Sequence, residues 1–207
     1  MKWALNEVEK AIGAPPYVSG LRDPYRILVS TVLSARTKDE VTGAASRRLF
    51  SKVRTIKDMQ AIPQPRLEKL IYPVCFYRNK SKALKEMALV LENDYNGMVP
   101  DTINELVKLP GVGRKTANLV VLLAFGKPGI CVDTHVHRIS NRWGLVETRD
   151  PLGTEMALRE KVPKRLWSRI NALLVPFGRE VCKPVSPHCT GCPLSGKCPR
   201  IGVRWHR

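Results

Sequence analysis

The sequence lacks any apolar run that could cross a membrane. Its longest uninterrupted apolar run, Leu119–Phe125, is far shorter than the roughly 20 residues that a transmembrane helix needs. Met1–Gly13 alternates charged and apolar residues as an amphipathic helix does, which is not the pattern of a signal peptide. Internal repeats, low-complexity segments and convincing strand patterns are absent too. We therefore expect an all-α protein that has no membrane association and is located in the cytoplasm.

Acidic residues are also scarce. Among 207 residues there are 18 Asp and Glu against 35 Lys and Arg, which leaves a net charge of +17. This imbalance favours a polyanionic partner over a membrane surface or an acidic protein. The basic residues are spread over many segments, so a folded basic surface is favoured over a disordered tail. The length suffices for one large or two small domains.

Apolar periodicity predicts helices along nearly the whole chain. Pro24 opens the second of them, and a loop at Ala14–Gly20 precedes it. Asp101 is expected to cap the helix that begins at residue 102, and 73–80 is expected to form a loop. The predicted helices cover residues 1–13, 25–34, 40–50, 56–61, 66–72, 81–95, 102–109, 114–125, 134–143, 152–162 and 163–177.

The stretch Leu109–Asn118, which reads LPGVGRKTAN, separates two of these helices. Pro110 ends the first helix because proline has no N–H to donate. Gly111 and Gly113 allow the backbone conformations that a tight hairpin needs. The hairpin N–H groups can then face a phosphate, and Arg114 follows at once. An ordinary glycine turn between helices is the alternative, but the basic chain favours a helix–hairpin–helix that binds a nucleic-acid backbone.

Lys115 lies in the first turn of the following helix if Gly113 caps that helix. The positive end of the helix dipole disfavours a cation there, and Arg114 adds a second like charge. Both effects favour a neutral, nucleophilic amine. A lysine that only binds phosphate would gain nothing from this position.

Four of the six cysteines form a C-x6-C-x2-C-x5-C pattern near the end of the sequence, namely Cys182, Cys189, Cys192 and Cys198. Thiolates this close can hold either a zinc ion or an iron–sulfur cluster. Only one pair has the short C-x2-C spacing typical of zinc, so the wider loops favour the cluster. Lys183, inside the first loop, is a candidate phosphate contact. Cys75 and Cys131 are expected to be buried free thiols.

Asp133 precedes the helix predicted at 134–143. Aspartate is a preferred N-cap, so Asp133 could serve only to start the helix. Alternatively, an ionised carboxylate there could stabilise positive charge on a reacting sugar or move a proton from the Lys115 amine. His135 and His137 are two residues apart and point to different helix faces, which makes a shared metal site unfavourable. His135 is the better candidate for a phosphate contact.

Five motifs in one order closely resemble the endonuclease III family of base-excision DNA glycosylases, within the helix–hairpin–helix superfamily. They are LSARTKD (Leu33–Asp39), FYRNKSKA (Phe76–Ala83), LPGVGRKTAN, VDTH (Val132–His135) and the four-cysteine segment. The resemblance covers nearly the whole chain.

The resemblance implies two α-helical domains with a DNA-binding cleft between them. One would be a six-helix domain with the helix–hairpin–helix, residues 21–130. The other, residues 1–20 and 131–207, would hold a [4Fe–4S] cluster on the four cysteines. A nucleoid-associated monomer, bacterial or archaeal, would act on double-stranded DNA that contains damaged bases or abasic sites.

The resemblance also implies the activity of a bifunctional DNA glycosylase and lyase that removes oxidised pyrimidines. Lys115 and Asp133 match the family's catalytic lysine and aspartate. The damaged nucleotide would be flipped out of the duplex, the lysine amine would attack C1′ to form a Schiff base, and β-elimination would cut the strand 3′ to the abasic site. A monofunctional glycosylase, which uses water, and a non-enzymatic DNA-binding module are the alternatives; neither requires Lys115 and Asp133 together.

DNA contacts follow from the same resemblance. Arg36 and Phe76 match residues that fill the gap left by the flipped nucleotide and wedge the duplex. Where the family often has glutamine, Arg36 can donate to guanine but cannot accept; Phe76 replaces a common leucine, and Cys75 a common glycine. The full set of expected DNA-contact residues is Gly111, Gly113, Arg114, Arg36, Phe76, Arg78, His135 and Lys183.

Overall fold

The computed structural model describes residues 1–13 and 23–207 of the chain. The loop predicted at Ala14–Gly20 and the predicted boundary at residues 20/21 lie outside this description. Throughout the described residues the regular structure is helical, as predicted, and none of these helices is long and apolar enough to span a membrane. The helices are α1 (Lys2–Ile12), α2 (Pro24–Ser34), α3 (Asp39–Phe50), α4 (Ile56–Ala61), α5 (Gln64–Ile71), α6 (Tyr77–Tyr95), α7 (Ile103–Leu106), α8 (Arg114–Phe125), α9 (Thr134–Arg142), α10 (Pro151–Lys161) and α11 (Trp167–Glu180).

The chain divides into two compact units. One comprises Gly20–Lys127, and the other comprises Met1–Ser19 with Pro128–Arg207. We call them the hairpin unit and the cysteine unit. The predicted domains place the later boundary three residues further along the chain, and their assignment as domains stays a prediction.

In the hairpin unit, α2 is the central helix. Pro24 starts it, as the sequence predicts, and Asp23 caps it. Its buried residues include Leu28, Val29 and Leu33, which pack within one core with residues of α3, α6 and α8. Each fully buried side chain of this kind contributes about 1.5–3 kcal/mol relative to an exposed one. The core therefore fixes the C-terminal end of α2 relative to α6 and α8.

In the cysteine unit, α11 packs against α1 and α9. Its side chains Ile170, Leu174 and Phe177 are fully buried. The sequence predicts an end at residue 177, but α11 continues to Glu180 and tolerates Pro176 in its interior. This extension brings the helix within two residues of Cys182.

The start of α6 differs from the sequence prediction. We expect a helix from residue 81, whereas α6 begins at Tyr77 after Phe76, which has a left-handed backbone with φ of 58°. Ser81 does not cap the helix because its hydroxyl donates to the carbonyl of Arg78, at 2.8 Å. Arg78 and Lys80 therefore lie in the first turn of α6 rather than in a loop.

The segment before the hairpin is also less helical than predicted. α7 spans only Ile103–Leu106, and turns follow it. Its N-cap is Thr102, whose hydroxyl accepts from the N–H of Glu105 at 3.3 Å. The prediction for Asp101 is wrong, because that carboxylate instead accepts from Lys127 Nζ at 2.5 Å.

Candidate active site and nucleic-acid interface

The hairpin is anchored by two buried side chains. Leu109 and Val112 are almost fully buried, and the N–H of Val112 donates to the carbonyl of Leu109 at 3.1 Å. Between them, Gly111 has a φ of 76°. Gly113 is the N-cap of α8 and offers no side chain to its N–H groups. The structure thus forms the predicted hairpin, and its N-cap residue places no side chain on the N-terminal N–H groups of α8, the kind of helix start that suits an anion.

Gly111 also permits a close approach between elements of the hairpin unit. A Cβ atom there would lie 3.0 Å from Ala83 Cβ on α6 and 3.7 Å from Val32 Cγ1 on α2. The hairpin therefore packs directly on these two helices. This contact fixes the hairpin relative to the start of α6 and the end of α2.

We expect Gly111→Ala to lower the free energy of unfolding by about 1–2 kcal/mol, because alanine resists a positive φ and its methyl group would press on Ala83. The matched control is Gly43→Ala in the interior of α3, where only a flexible Arg47 side chain is near. That change should stabilise the helix by about 0.5–1 kcal/mol. Urea unfolding measures both, and equal stabilities of Gly111→Ala and wild type would contradict the tight contact.

Lys115 is the second residue of α8 and is exposed to solvent. The structure confirms its position in the first turn, directly after half-buried Arg114. Its amine is accessible to a substrate and lies at the N-terminal end of α8, where no side chain caps the helix. These are properties of a nucleophile rather than of a structural lysine.

Asp133 caps α9, as its place in the sequence predicts. Its Oδ1 accepts from the N–H groups of His135 and Val136, both at 2.9 Å. The residues before it, 130–132, are buried, and Asn171 of α11 accepts from the N–H of Cys131 at 2.9 Å while donating to its carbonyl. These contacts fix Asp133 from both sides.

His135 lies in the first turn of α9, in contact with Arg138. Arg138 Nη2 is 3.1 Å from His135 Nδ1 and donates to the carbonyls of Gly178 and Cys182, both at 2.9 Å. Burial lowers the pKa of His135, and the nearby Arg138 and Arg179 add to this effect, whereas Asp133 opposes it. The neutral imidazole then accepts at Nδ1 and carries its proton on Nε2.

His137 has a different environment, as the two-residue spacing predicts. Its Nδ1 lies 2.6 Å from Thr154 Oγ1 of α10. His135, by contrast, packs against Gly178 of α11. A Cβ atom at Gly178 would lie only 2.5 Å from His135 Nδ1, so glycine allows α9 and α11 to pack closely there. The two histidines therefore serve separate contacts.

The four cysteines of the C-x6-C-x2-C-x5-C pattern line a single cavity. The backbone N–H of Leu194 donates to Cys192 Sγ at 3.4 Å, and Arg142 Nη1 donates to Cys182 Sγ at 3.5 Å. Burial raises the pKa of the Cys192 and Cys198 thiols. In residues 1–13 and 23–207, no group of three or more His, Cys, Asp or Glu side chains is arranged to hold a metal ion.

Arg142 also orders the loop after Cys182. It donates to the carbonyls of Lys183 at 2.6 Å and Pro184 at 2.8 Å. Arg138 and Arg142 are four residues apart and share one face of α9, so both reach the cysteine segment. Sequence reasoning missed both arginines and Asn171; the i, i+4 spacing of the arginines was the signal for their shared face.

Arg36 and Phe76 come together in the hairpin unit. Both have left-handed backbones, with φ of 55° and 58°, and the Arg36 guanidinium lies 5.8 Å from the centroid of the Phe76 ring. The ring is 60% exposed. Arg78 stacks similarly on Tyr77, at 5.6 Å. Cys75 is exposed, so the prediction of a buried thiol is wrong there; Cys131 is buried, as predicted.

Comparison with known proteins identifies the family. Residues 29–164 match the family described as HhH-GPD superfamily base excision DNA repair protein. Endonuclease III of Thermotoga maritima is 49% identical over 176 residues, which are 85% of this chain and 83% of that protein. Endonuclease III of Bacillus subtilis is 44% identical over 177 residues, covering 85% and 81%.

A solved structure of a trapped covalent intermediate between endonuclease III and DNA is similar over almost the entire chain. The TM-score is 0.87 at 40% identity, and the match covers 96% of this chain and 94% of the other. A non-covalent endonuclease III–DNA complex matches with a TM-score of 0.86. The fold, the hairpin and these relatives together show that the chain belongs to the endonuclease III family of base-excision DNA glycosylases, within the HhH-GPD superfamily.

Proposed function

We propose that this protein is a bifunctional DNA glycosylase and abasic-site lyase that removes oxidised pyrimidines from double-stranded DNA. The observation that carries the proposal is the exposed Lys115 in the first turn of α8. It lies two residues after Gly113, which places no side-chain cap on that helix. The relative found in a covalent complex with DNA supports a nucleophilic route. With +17 net charge, the protein acts as a nucleoid-associated monomer in the cytoplasm.

Lys115 carries out the chemistry on a nucleotide flipped out of the stack. Its amine lone pair attacks C1′ and forms a bond between the lysine nitrogen and C1′, while the glycosidic bond from C1′ to the base breaks. The base leaves with the bonding electron pair and takes up the proton that the lysine nitrogen gives up. The C1′–O4′ bond then breaks, O4′ takes up a proton from water, and C1′ and the lysine nitrogen are joined as a protonated Schiff base. Loss of a proton from C2′ expels the 3′ phosphate from C3′, which cuts the strand, and water hydrolyses the Schiff base.

Asp133 assists as a fixed carboxylate. Its Oδ1 accepts from two N–H groups, which fixes the carboxylate at the start of α9. In the proposed reaction Asp133 stabilises the positive charge that develops at C1′ or helps to move the proton that the amine loses on attack.

The DNA contacts divide by chemistry. The hairpin N–H groups at Gly111 and Gly113 and the Arg114 side chain bind phosphates. Arg36 and Phe76 enter the gap left by the flipped nucleotide. Arg78, His135 and Lys183 bind the flanking backbone, for which His135 uses its Nε2 proton.

We propose that the four cysteines hold a [4Fe–4S] cluster, which is larger than a single metal ion and does not require all four sulfurs to meet at one point. The four residues line one cavity, and N–H groups of Leu194 and Arg142 donate to the sulfurs of Cys192 and Cys182. When bound, the cluster supplies four bonds that join the cysteine segment into one ordered loop. Lys183 lies in that loop, and its carbonyl accepts a hydrogen bond from Arg142.

We expect the purified protein to be brown and to contain about four iron and four sulfide per chain. Cys192→Ser should lose the iron and the visible absorption, since it removes a thiolate that faces the cavity. Cys75→Ser, which changes an exposed cysteine outside the pattern, should keep both. A colourless wild-type protein that contains zinc would contradict the cluster.

The activity is tested with two duplexes, one containing thymine glycol and one an abasic site. The proposal predicts strand cleavage at both without alkali. Cleavage of the thymine-glycol strand only after alkali treatment would show a monofunctional glycosylase instead. Tight binding without base release would show a DNA-binding module that is not an enzyme.

A further inference from the structure

Lys80 of α6 uses its whole hydrogen-bonding capacity inside the protein. Its half-buried Nζ donates to the carbonyls of Leu33 at 2.8 Å and Ala35 at 2.6 Å, and to Thr37 Oγ1 at 3.3 Å. An ammonium group has three N–H donors, and here three acceptors surround it. The ammonium group therefore caps the C-terminal end of α2, where the last backbone carbonyls have no hydrogen-bond partner within the helix.

The same contacts hold Arg36 and Phe76. Arg36 lies between Ala35 and Thr37, which both accept from Lys80. Phe76 lies one turn before Lys80, and its carbonyl accepts from the Lys80 backbone N–H at 3.0 Å. Thr37 Oγ1 also accepts from the N–H of Cys75, at 3.2 Å. The backbone segments that carry these two exposed side chains are thus joined to each other through Lys80 and Thr37.

Both residues need such support. A non-glycine residue in the left-handed region costs about 1–3 kcal/mol and persists only where its surroundings hold it. Arg36 and Phe76 both have this conformation, and the guanidinium faces the ring. Without Lys80, the carbonyl of Leu33 would lose this donor and the carbonyl of Ala35 would keep only the Thr37 hydroxyl, at 3.3 Å, so that both backbones could relax.

We propose that Lys80 is a positioning residue that holds Arg36 and Phe76 as one preassembled unit for insertion into damaged DNA. The proposal rests on the proposed function, in which this pair fills the gap left by the flipped nucleotide. Preassembly removes the cost of ordering two side chains at the moment of binding. The hairpin packs on Val32 and Ala83 of the same two helices, so the unit has a fixed position relative to the phosphate-binding hairpin.

The test compares Lys80→Met with Lys82→Met. Methionine keeps an apolar stem at position 80 but donates no hydrogen bond, and Lys82 is an exposed lysine two residues further along α6. Dissociation constants are measured for a duplex with a tetrahydrofuran abasic analogue and for the same duplex undamaged. Lys80→Met should weaken binding to the damaged duplex by about tenfold and leave undamaged binding and its salt dependence as in wild type.

A second readout reports insertion directly. With 2-aminopurine opposite the tetrahydrofuran, insertion by the wild-type protein should unstack this base and raise its fluorescence, and Lys80→Met should reduce the rise. Thr37→Val, which keeps the lysine but removes one acceptor, should act in the same direction with a smaller effect. This variant also serves if Lys80→Met fails to fold.

Three outcomes would overturn the positioning role. One is an unchanged preference for damaged DNA in Lys80→Met. Another is that Lys80→Met weakens binding equally to the damaged and the undamaged duplex and makes binding less dependent on salt, which would show that Lys80 contacts a phosphate. The third is the same loss in Lys82→Met. Failure of the proposed function looks different, because the wild-type protein itself would then show no preference for the abasic duplex.

Discussion

Lys115→Ala is expected to abolish strand cleavage at an abasic site, with a rate loss of roughly 10³-fold or more, because the variant lacks the attacking amine. Lys115 is exposed and its side chain stabilises no part of the core, so the variant should fold as wild type does. Single-turnover cleavage of an abasic duplex measures the effect.

Lys108→Ala is the matched control for this variant. Lys108 follows α7 on the other side of the hairpin and carries the same charge, paired with Glu105 at 2.7 Å. Its removal should weaken DNA binding slightly and leave the cleavage rate of bound DNA unchanged. Equal cleavage by Lys115→Ala and wild type would remove Lys115 from the reaction.

Asp133→Asn is expected to lower base excision by about 10²–10⁴-fold, the range for loss of a positioned acid–base group. Asparagine is as good an N-cap as aspartate, so its side-chain oxygen can still accept from His135 and Val136 and α9 should persist. The loss then reports the missing charge rather than a missing helix. Single-turnover release of thymine glycol measures the effect.

Asp150→Asn provides the control, since Asp150 caps α10 of the same unit and accepts from the N–H of Gly153 at 2.8 Å. It should keep wild-type excision and wild-type stability. Excision by Asp133→Asn at the wild-type rate, with the helix content unchanged, would reduce Asp133 to a helix cap.

The preferences of individual residues for helix starts and turns were enough to predict several helix boundaries and the hairpin turn. The caps at Gly113 and Asp133 follow from the preference of glycine and short polar residues for helix starts. The turn at Gly111 follows from its freedom to adopt a positive φ. The positions of the catalytic candidates on helices could therefore be predicted from a single sequence.

Contacts between distant segments were the part that sequence could not show. Asp101 looks like a helix cap, but Lys127 is close in space and its charge competes for the carboxylate. Phe76 starts α6 in a left-handed conformation that no propensity for phenylalanine predicts, because Lys80 and Thr37 impose it from the protein interior. Arg138 and Asn171 likewise reach residues about 40 positions away.

The two proposed insertion residues, Arg36 and Phe76, are among the positions where this chain differs from the sequence common in the family it resembles. Arginine in place of glutamine at position 36 adds a donor that suits guanine O6 and N7. The structure places that guanidinium against the Phe76 ring, so the two substitutions form one contact. The range of opposite bases tolerated by the protein should follow from this pair rather than from Lys115 or Asp133.

Borohydride trapping of the wild-type protein tests the central claim most directly. The protein is incubated with a duplex that contains an abasic site, the Schiff base is reduced, and the DNA-linked peptide is identified by mass spectrometry. The account predicts one covalent adduct, on Lys115. An adduct on another amine, or no adduct while the strand is still cut, would contradict the assignment of Lys115 as the nucleophile.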